Sequence, residues 1–195
     1  MAPVVAFLVP LAWALGTFPA AGIVARAHGL DVTSAGSGNP GASNIARLLG
    51  WRWGAVVLLG DFAKGAIASG AGLWVGGRSA AFVLGAAAVL GHTLPLYRKG
   101  GKGVATAGGA LTVLYPWLAV GTAIVWLVVA RLLHKASVAS LVIVVGFPVA
   151  VIVTGHDLWE DLVVTALAVL IVGRHLPNIR RLLRHEELDL GRPQD

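Results

Sequence analysis

The chain has 195 residues, of which 57% are hydrophobic and only 12% charged, with a formal net charge of +6. A soluble domain carries about 25% charged residues, so the composition excludes one. It describes instead an all-α integral membrane protein with room for roughly six or seven spans of about 20 residues each. The absence of cysteine rules out disulfides, thiolate metal sites and cysteine nucleophiles. In such a chain the basic excess reports positive loops on the cytoplasmic side rather than a nucleic-acid partner.

The apolar run from Ala2 to Ala25 lacks a basic leader and exceeds an ordinary signal-peptide core, so it is expected as a retained first span. Residues 27–53 are polar and glycine-rich. A second span is predicted over about Gly54–Gly76 and contains Asp61 and Lys64, which share a helix face and can pair. After a short loop with Arg78, a third span runs over about Ser79–Leu96. Next come Arg98, Lys99 and Lys102 among Gly100, Gly101 and Gly103, then a short apolar stretch over Gly103–Tyr115. Pro116 opens a longer run to Leu133, and a turn at Tyr115-Pro116 fits two antiparallel helices best. Another span is expected over about Ser137–Thr154, interrupted by Pro148. An acidic loop, Gly155–Asp161, precedes the last span over about Leu162–Gly173, and a basic tail begins at Arg174. Tryptophans near span ends are read as packing or interface residues.

These segments make a single polytopic domain, residues 1–195, built as a bundle of about seven transmembrane helices. Seven crossings put Arg26, Arg47, Arg52, Arg98, Lys99, Lys102, Arg131, Lys135, Arg174, Arg180, Arg181, Arg184 and Arg192 on one face and only Arg78 on the other. That asymmetry puts the N-terminus outside and the C-terminus in the cytoplasm. Five crossings, with Gly103–Leu133 not crossing twice, give the same sidedness elsewhere.

Three polar stretches fall on the cytoplasmic face. The first is Ser37-Gly-Asn-Pro-Gly-Ala-Ser-Asn44 with Arg47 a turn later, the second is the lysine–glycine cluster with His92, and the third is His175-Leu-Pro-Asn-Ile-Arg180. Glycine amides and a following helix start suit an anion, and lysine and arginine supply countercharge, so the pattern points to phosphate. Gly103 rather than Ser or Thr follows Lys102, so the cluster is not a nucleotide P-loop. His156 and Asp161 have the spacing of a histidine–carboxylate pair, but charge counting puts them on the outer loop.

These residues resemble the bacterial acyl-phosphate-dependent glycerol-3-phosphate acyltransferases, the PlsY family. The resemblance is carried by Ser37–Asn44 with Arg47, by Asp61-Phe-Ala-Lys-Gly65, and by Gly91-His92 through Pro95 into Gly100–Thr106. It extends to Ser137-Val-Ala-Ser140 and His175–Arg180, in family order along nearly the whole chain. The segment between Pro95 and Gly100 is about two residues shorter than the family pattern.

The resemblance implies transfer of a fatty acyl group from acyl-phosphate to the 1-hydroxyl of glycerol-3-phosphate, giving lysophosphatidic acid and phosphate, at the first step of bacterial phospholipid synthesis. An acyl-phosphate is already an activated mixed anhydride, so no cofactor, metal or covalent intermediate is required. What remains is to position two anions and stabilise developing charge. By this resemblance Ser37, Arg47, Lys102, Ser140, His175 and Asn178 hold glycerol-3-phosphate, with Ser37, Lys102, His175 and Asn178 at the reacting centre. Asn39, Gly41, Ala42, Asn44, Gly100, Gly101, Lys102 and Gly103 cradle the acyl-phosphate. Two acceptors for the hydroxyl proton stay open, His175 and the departing phosphate, and the resemblance favours the phosphate. The expected setting is the bacterial inner membrane, with the lipid bilayer and the two substrates as partners and no obligate protein partner. A transporter or channel for a phosphate-bearing solute would use the same basic residues, but all of them lie on one face.

Overall fold

The computed structural model describes residues 3–190; Ala2, expected at the start of the first span, and Arg192, counted in the tail, lie outside them. The described residues form nine helices and no strand, in two compact units divided after Leu114. Four helices are long and apolar enough to cross a membrane, or five when one bent pair is taken as a single span.

In the first unit the expected N-terminal span is present over Pro3–Ala27, made of two consecutive helices, α1 (Pro3–Gly16) and α2 (Ala20–Ala27). Pro19 has no N–H to continue the ladder and sits at the N-cap of α2, while the Thr17 hydroxyl turns back to the Ala14 carbonyl at 2.7 Å. The polar segment holds an amphipathic helix, α3 (Ala42–Leu49), bounded by Gly41 and Gly50.

Next, α4 (Trp51–Thr93) is 43 residues long but is two arms, because Gly77 has φ 71° and ψ −161°. Ser69 Oγ donates to the Ala81 carbonyl at 2.9 Å, although twelve residues of unbroken helix would separate them by about 18 Å. The arms, residues 51–76 and 78–93, therefore run antiparallel, and one left-handed glycine does the work of the expected loop. The unit closes with α5 (Val104–Leu114), whose C-terminal carbonyl at Leu114 accepts from Arg78 at 3.0 Å.

Small residues let these helices approach closely, as helix packing in lipid requires. A Cβ on Gly91 would overlap the Trp13 carbonyl of α1, and one on Gly109 the Phe62 carbonyl of the first α4 arm. A Cβ on Gly65 would overlap the Thr106 carbonyl and press on the Ala110 nitrogen. Gly65→Ala is therefore expected to destabilise the protein by about 1–3 kcal/mol. Gly70→Ala, in the same arm with nothing within 4 Å, is expected to leave stability unchanged or raise it. Thermal melting of the two variants in detergent checks the contrast.

The second unit contains α6 (Pro116–Leu133), α7 (Ala136–Val153), α8 (Leu158–Arg174) and α9 (Leu176–Leu183). The chain breaks at Tyr115-Pro116 as expected, with Pro116 in the first turn of α6, and α6 ends at His134 in a left-handed conformation. Pro148 does not interrupt α7, which runs through it. The last helix before the tail starts earlier than expected, with Glu160 and Asp161 in its first turn, where acids complement the dipole. Glu160 is buried and accepts from the Tyr115 hydroxyl. A 55° bend separates α8 from α9, with His175 at the corner and Pro177 in the first turn of α9.

Candidate functional site

In the first unit the turn before α3 is built around one side chain. Asn44 is fully buried, and its Oδ1 accepts from the Ser37 N–H at 2.9 Å while its Nδ2 donates to the Ala35 carbonyl at 3.0 Å. Gly36 and Gly38 take φ of 59° and 63°, which bends the backbone around that amide. Upstream, Asp31 accepts from the Thr33 N–H at 2.9 Å and hydroxyl at 2.7 Å, and the Thr33 backbone bond chiefly holds its carboxyl below the usual range. Ser37 Oγ accepts weakly from the Asn39 N–H at 3.4 Å. The α3 N-cap is Gly41 and no side chain caps the first-turn N–H groups; Asn39, Gly41 and Ala42 are half-buried there and Pro40 is buried. Arg47 lies buried one turn on, in the same helix.

The glycine loop is pinned to the end of α4. Gly101 donates to the His92 carbonyl at 3.0 Å, and a Cβ on Gly100 would overlap the Thr93 carbonyl. Gly103 takes φ 93° and turns the chain into α5, leaving Lys102 half-buried beside three glycines at a helix start. The loop and the Ser37–Asn44 turn face one another, since a Cβ built on Gly38 would stand 3.4 Å from the Lys99 ammonium. Two of the three polar stretches thus meet within the first unit.

Beneath the loop lies the intramembrane pair. Lys64 and Asp61 are joined at 2.7 Å, both almost wholly buried, as their spacing on one helix face predicts.

The third stretch and Ser140 belong to the second unit. His175 is buried at the α8–α9 corner, and its Nδ1 lies 2.8 Å from the Ile171 carbonyl. A carbonyl only accepts, so Nδ1 carries a proton. Asn178 donates to Glu187 Oε1 at 2.7 Å, and Arg181 to Oε2 of the same carboxylate at 2.8 Å. Burial raises the Glu187 pKa, but hydrogen bonds from Asn178, Arg181 and Ser137, with the Arg181 charge, outweigh it and hold it below the ordinary value. Lys135 ties the same tail down, donating to the Glu187 carbonyl at 2.7 Å and Asp189 at 3.0 Å.

Ser140 Oγ accepts from the Trp126 indole N–H at 3.1 Å. An indole only donates, so this bond leaves the serine hydroxyl proton for another acceptor. Trp126→Phe keeps the ring and loses the bond. It is expected to lower kcat/KM about 3–10-fold, in line with one neutral hydrogen bond of about 1 kcal/mol, with little change in melting temperature. Steady-state kinetics on the folded variant checks it.

The histidine of the Gly155–Asp161 loop is occupied structurally. His156 Nδ1 lies 3.1 Å from the Thr154 hydroxyl and 3.2 Å from the Val151 carbonyl, and its ring stacks edge-on against Tyr115. Asp161 Oδ1 is buried with no hydrogen-bond partner, so the two do not form a catalytic pair. Glu187 and Trp126 were not foreseen from sequence. One sits in a tail that reads as solvated, and the other in an apolar run where tryptophan reads as packing.

A family model described as glycerol-3-phosphate acyltransferase matches residues 6–185. The glycerol-3-phosphate acyltransferase of Ralstonia pickettii (strain 12J) is 39% identical, over 98% of this chain and 97% of its own. That of Bacillus subtilis (strain 168) is 35% identical, over 94% and 96%. Among solved structures, the fold matches PlsY (YgiH), an integral membrane glycerol 3-phosphate acyltransferase, in its glycerol 3-phosphate form. The TM-score is 0.91, at 34% identity over 96% of each chain. The lysophosphatidic acid form of PlsY matches with a TM-score of 0.88 over 95% of each chain.

Proposed function

The chain belongs to the glycerol-3-phosphate acyltransferase family of integral membrane enzymes, and on that premise we propose that its acyl donor is an acyl-phosphate. The acceptor is the 1-hydroxyl of glycerol-3-phosphate, and the products are lysophosphatidic acid and inorganic phosphate. One observation carries this reading. It is the backbone of the first unit, where the glycine loop carrying Lys102 at the start of α5 meets the Gly36–Gly38 turn before α3, the Lys99 ammonium standing against Gly38.

The step balances without further reagents. The glycerol oxygen attacks the acyl carbon, the acyl carbon–oxygen bond to phosphorus breaks, and the departing phosphate takes the hydroxyl proton. Lys102 with the amides of Gly100, Gly101 and Gly103 holds the donor phosphate, together with the Asn39–Ala42 backbone. Asn44 serves through the turn it fixes, since both ends of its amide are used there. Ser37, Arg47, Ser140, His175 and Asn178 bind glycerol-3-phosphate, with Lys102 neutralising charge between the two anions. His175, its Nδ1 proton held by the Ile171 carbonyl, presents its Nε2 edge to the substrate. Glu187 holds Asn178 in place, which leaves the Asn178 carbonyl oxygen to accept.

The apolar segments are read as seven crossings, the two α4 arms counting separately and α5 as a short one. The N-terminus is outside and the basic loops face the cytoplasm, across a bacterial inner membrane. Purified protein given acyl-phosphate and radiolabelled glycerol-3-phosphate should form lysophosphatidic acid and phosphate one for one. Phosphate release without glycerol-3-phosphate, or no labelled lipid, contradicts the proposal.

A further inference from the structure

A buried polar hub links the junction of α1 and α2 to the glycine loop. The Lys64 ammonium, 3% exposed, contacts Asp61 Oδ1 at 2.7 Å, the Phe18 carbonyl at 3.0 Å, the Gly16 carbonyl at 3.2 Å and His92 Nδ1 at 3.0 Å. Asp61 Oδ1 also stands 3.6 Å from His92 Nδ1. An ammonium has three protons and no lone pair, so with Lys64 charged His92 Nδ1 shares those protons as an acceptor with the carboxylate and the two carbonyls, and the ring proton sits on Nε2. That opposite edge of the ring is set against Gly101, where any Cβ would overlap it. The same residue's carbonyl takes the Gly101 N–H at 3.0 Å. One histidine therefore touches the loop twice and stands against both members of the ion pair.

A pair of charges deep in a membrane protein is costly, and satisfying it needs a fixed geometry. Here the carbonyls freed between α1 and α2 complete the shell of Lys64. The fixed ammonium in turn fixes the plane of the imidazole, and the imidazole fixes where the Gly101 backbone runs. We infer that His92, oriented by the Asp61–Lys64 pair, is a positioning residue that sets the glycine loop in its phosphate-binding conformation. The inference rests on the proposal that this loop binds the donor phosphate. A role in helix packing alone would leave the identity of the ring nitrogens irrelevant.

The two nitrogens can be separated by substitution. In His92→Asn the carboxamide oxygen stands where Nδ1 stood and accepts from Lys64. In His92→Gln the amide reaches the Nε2 position and leaves Lys64 without that acceptor, and His92→Leu removes both. The expected KM for acyl-phosphate rises about tenfold or more in His92→Leu and His92→Gln, stays within threefold in His92→Asn, and kcat changes less than KM. Thermal melting with inorganic phosphate is a readout that needs no turnover. Phosphate should stabilise the wild type and His92→Asn, and stabilise His92→Gln and His92→Leu less. If His92→Leu does not fold, the Asn and Gln variants decide the matter. Equal responses of the Asn and Gln variants, or a wild-type response in His92→Leu, overturn the inference. A wild type that phosphate stabilises but that transfers no acyl group leaves the hub standing and removes the proposed reaction. A wild type that phosphate does not stabilise removes the loop's role and the inference with it.

Discussion

Lys102→Ala is expected to lower kcat/KM by about 10²–10³-fold while the protein still folds. Lys102 is half-buried in a loop that owes its course to Gly100, Gly101, Gly103 and the end of α4, so its side chain carries little of the packing. In the proposed reaction its ammonium is the charge that the two substrate anions share. Losing it restores their mutual repulsion. Lys102→Arg keeps the charge but replaces a compact ammonium with a wider fork among close-set glycines, so it should recover only part of the activity. The check is steady-state kinetics on variants whose melting temperatures match the wild type. Near-normal turnover of folded Lys102→Ala at low substrate would remove Lys102 from the reaction.

Arg47→Ala should cost about 30–150-fold in kcat/KM, with the larger share in the KM for glycerol-3-phosphate, as expected for a charge-assisted bond of about 2–3 kcal/mol. Arg47 is buried on α3, directly after the turn that Asn44 organises. In the proposed reaction the Arg47 guanidinium presents paired donors to phosphate oxygens, and Arg47→Lys retains the charge without the fork. Its KM should therefore lie between those of the wild type and Arg47→Ala. Because a buried arginine also packs, activity is compared only after each variant is shown to be folded. An unchanged KM for glycerol-3-phosphate in folded Arg47→Ala would reassign this arginine to structure.

Much of the architecture is legible in the sequence because lipid simplifies the code. Long apolar runs must become helices, so α6, α7 and the two arms of α4 fall close to their expected limits. Interruptions are harder. Thr17-Phe18-Pro19 divides the first span into two helices inside an unbroken apolar run, where hydropathy gives no sign and only Pro19 marks the place. Pro148 marks a break that does not occur, since a membrane helix tolerates one missing N–H when its surroundings adjust.

The same contrast holds for the candidate site. Ser37–Asn44, the glycine loop and His175–Asn178 stand out because polar residues are rare in this composition. Which of those side chains face a ligand and which hold a loop is decided by contacts distant in sequence. Asn44 resembles a ligand and turns out to staple the turn, while Glu187 emerges as the partner of Asn178 and Arg181 from a tail with no pattern of burial. Asp61 and Lys64 are readable as a pair from their spacing. Their tie to His92, 28 residues beyond Lys64, is not.

The account depends most on the identity of the acyl donor. A donor exchange with one purified preparation tests it directly, supplying glycerol-3-phosphate with the same acyl chain carried first by phosphate and then by a thioester. Lysophosphatidic acid formed from the acyl-phosphate and not from the thioester is the predicted result. Equal or greater transfer from the thioester would contradict it.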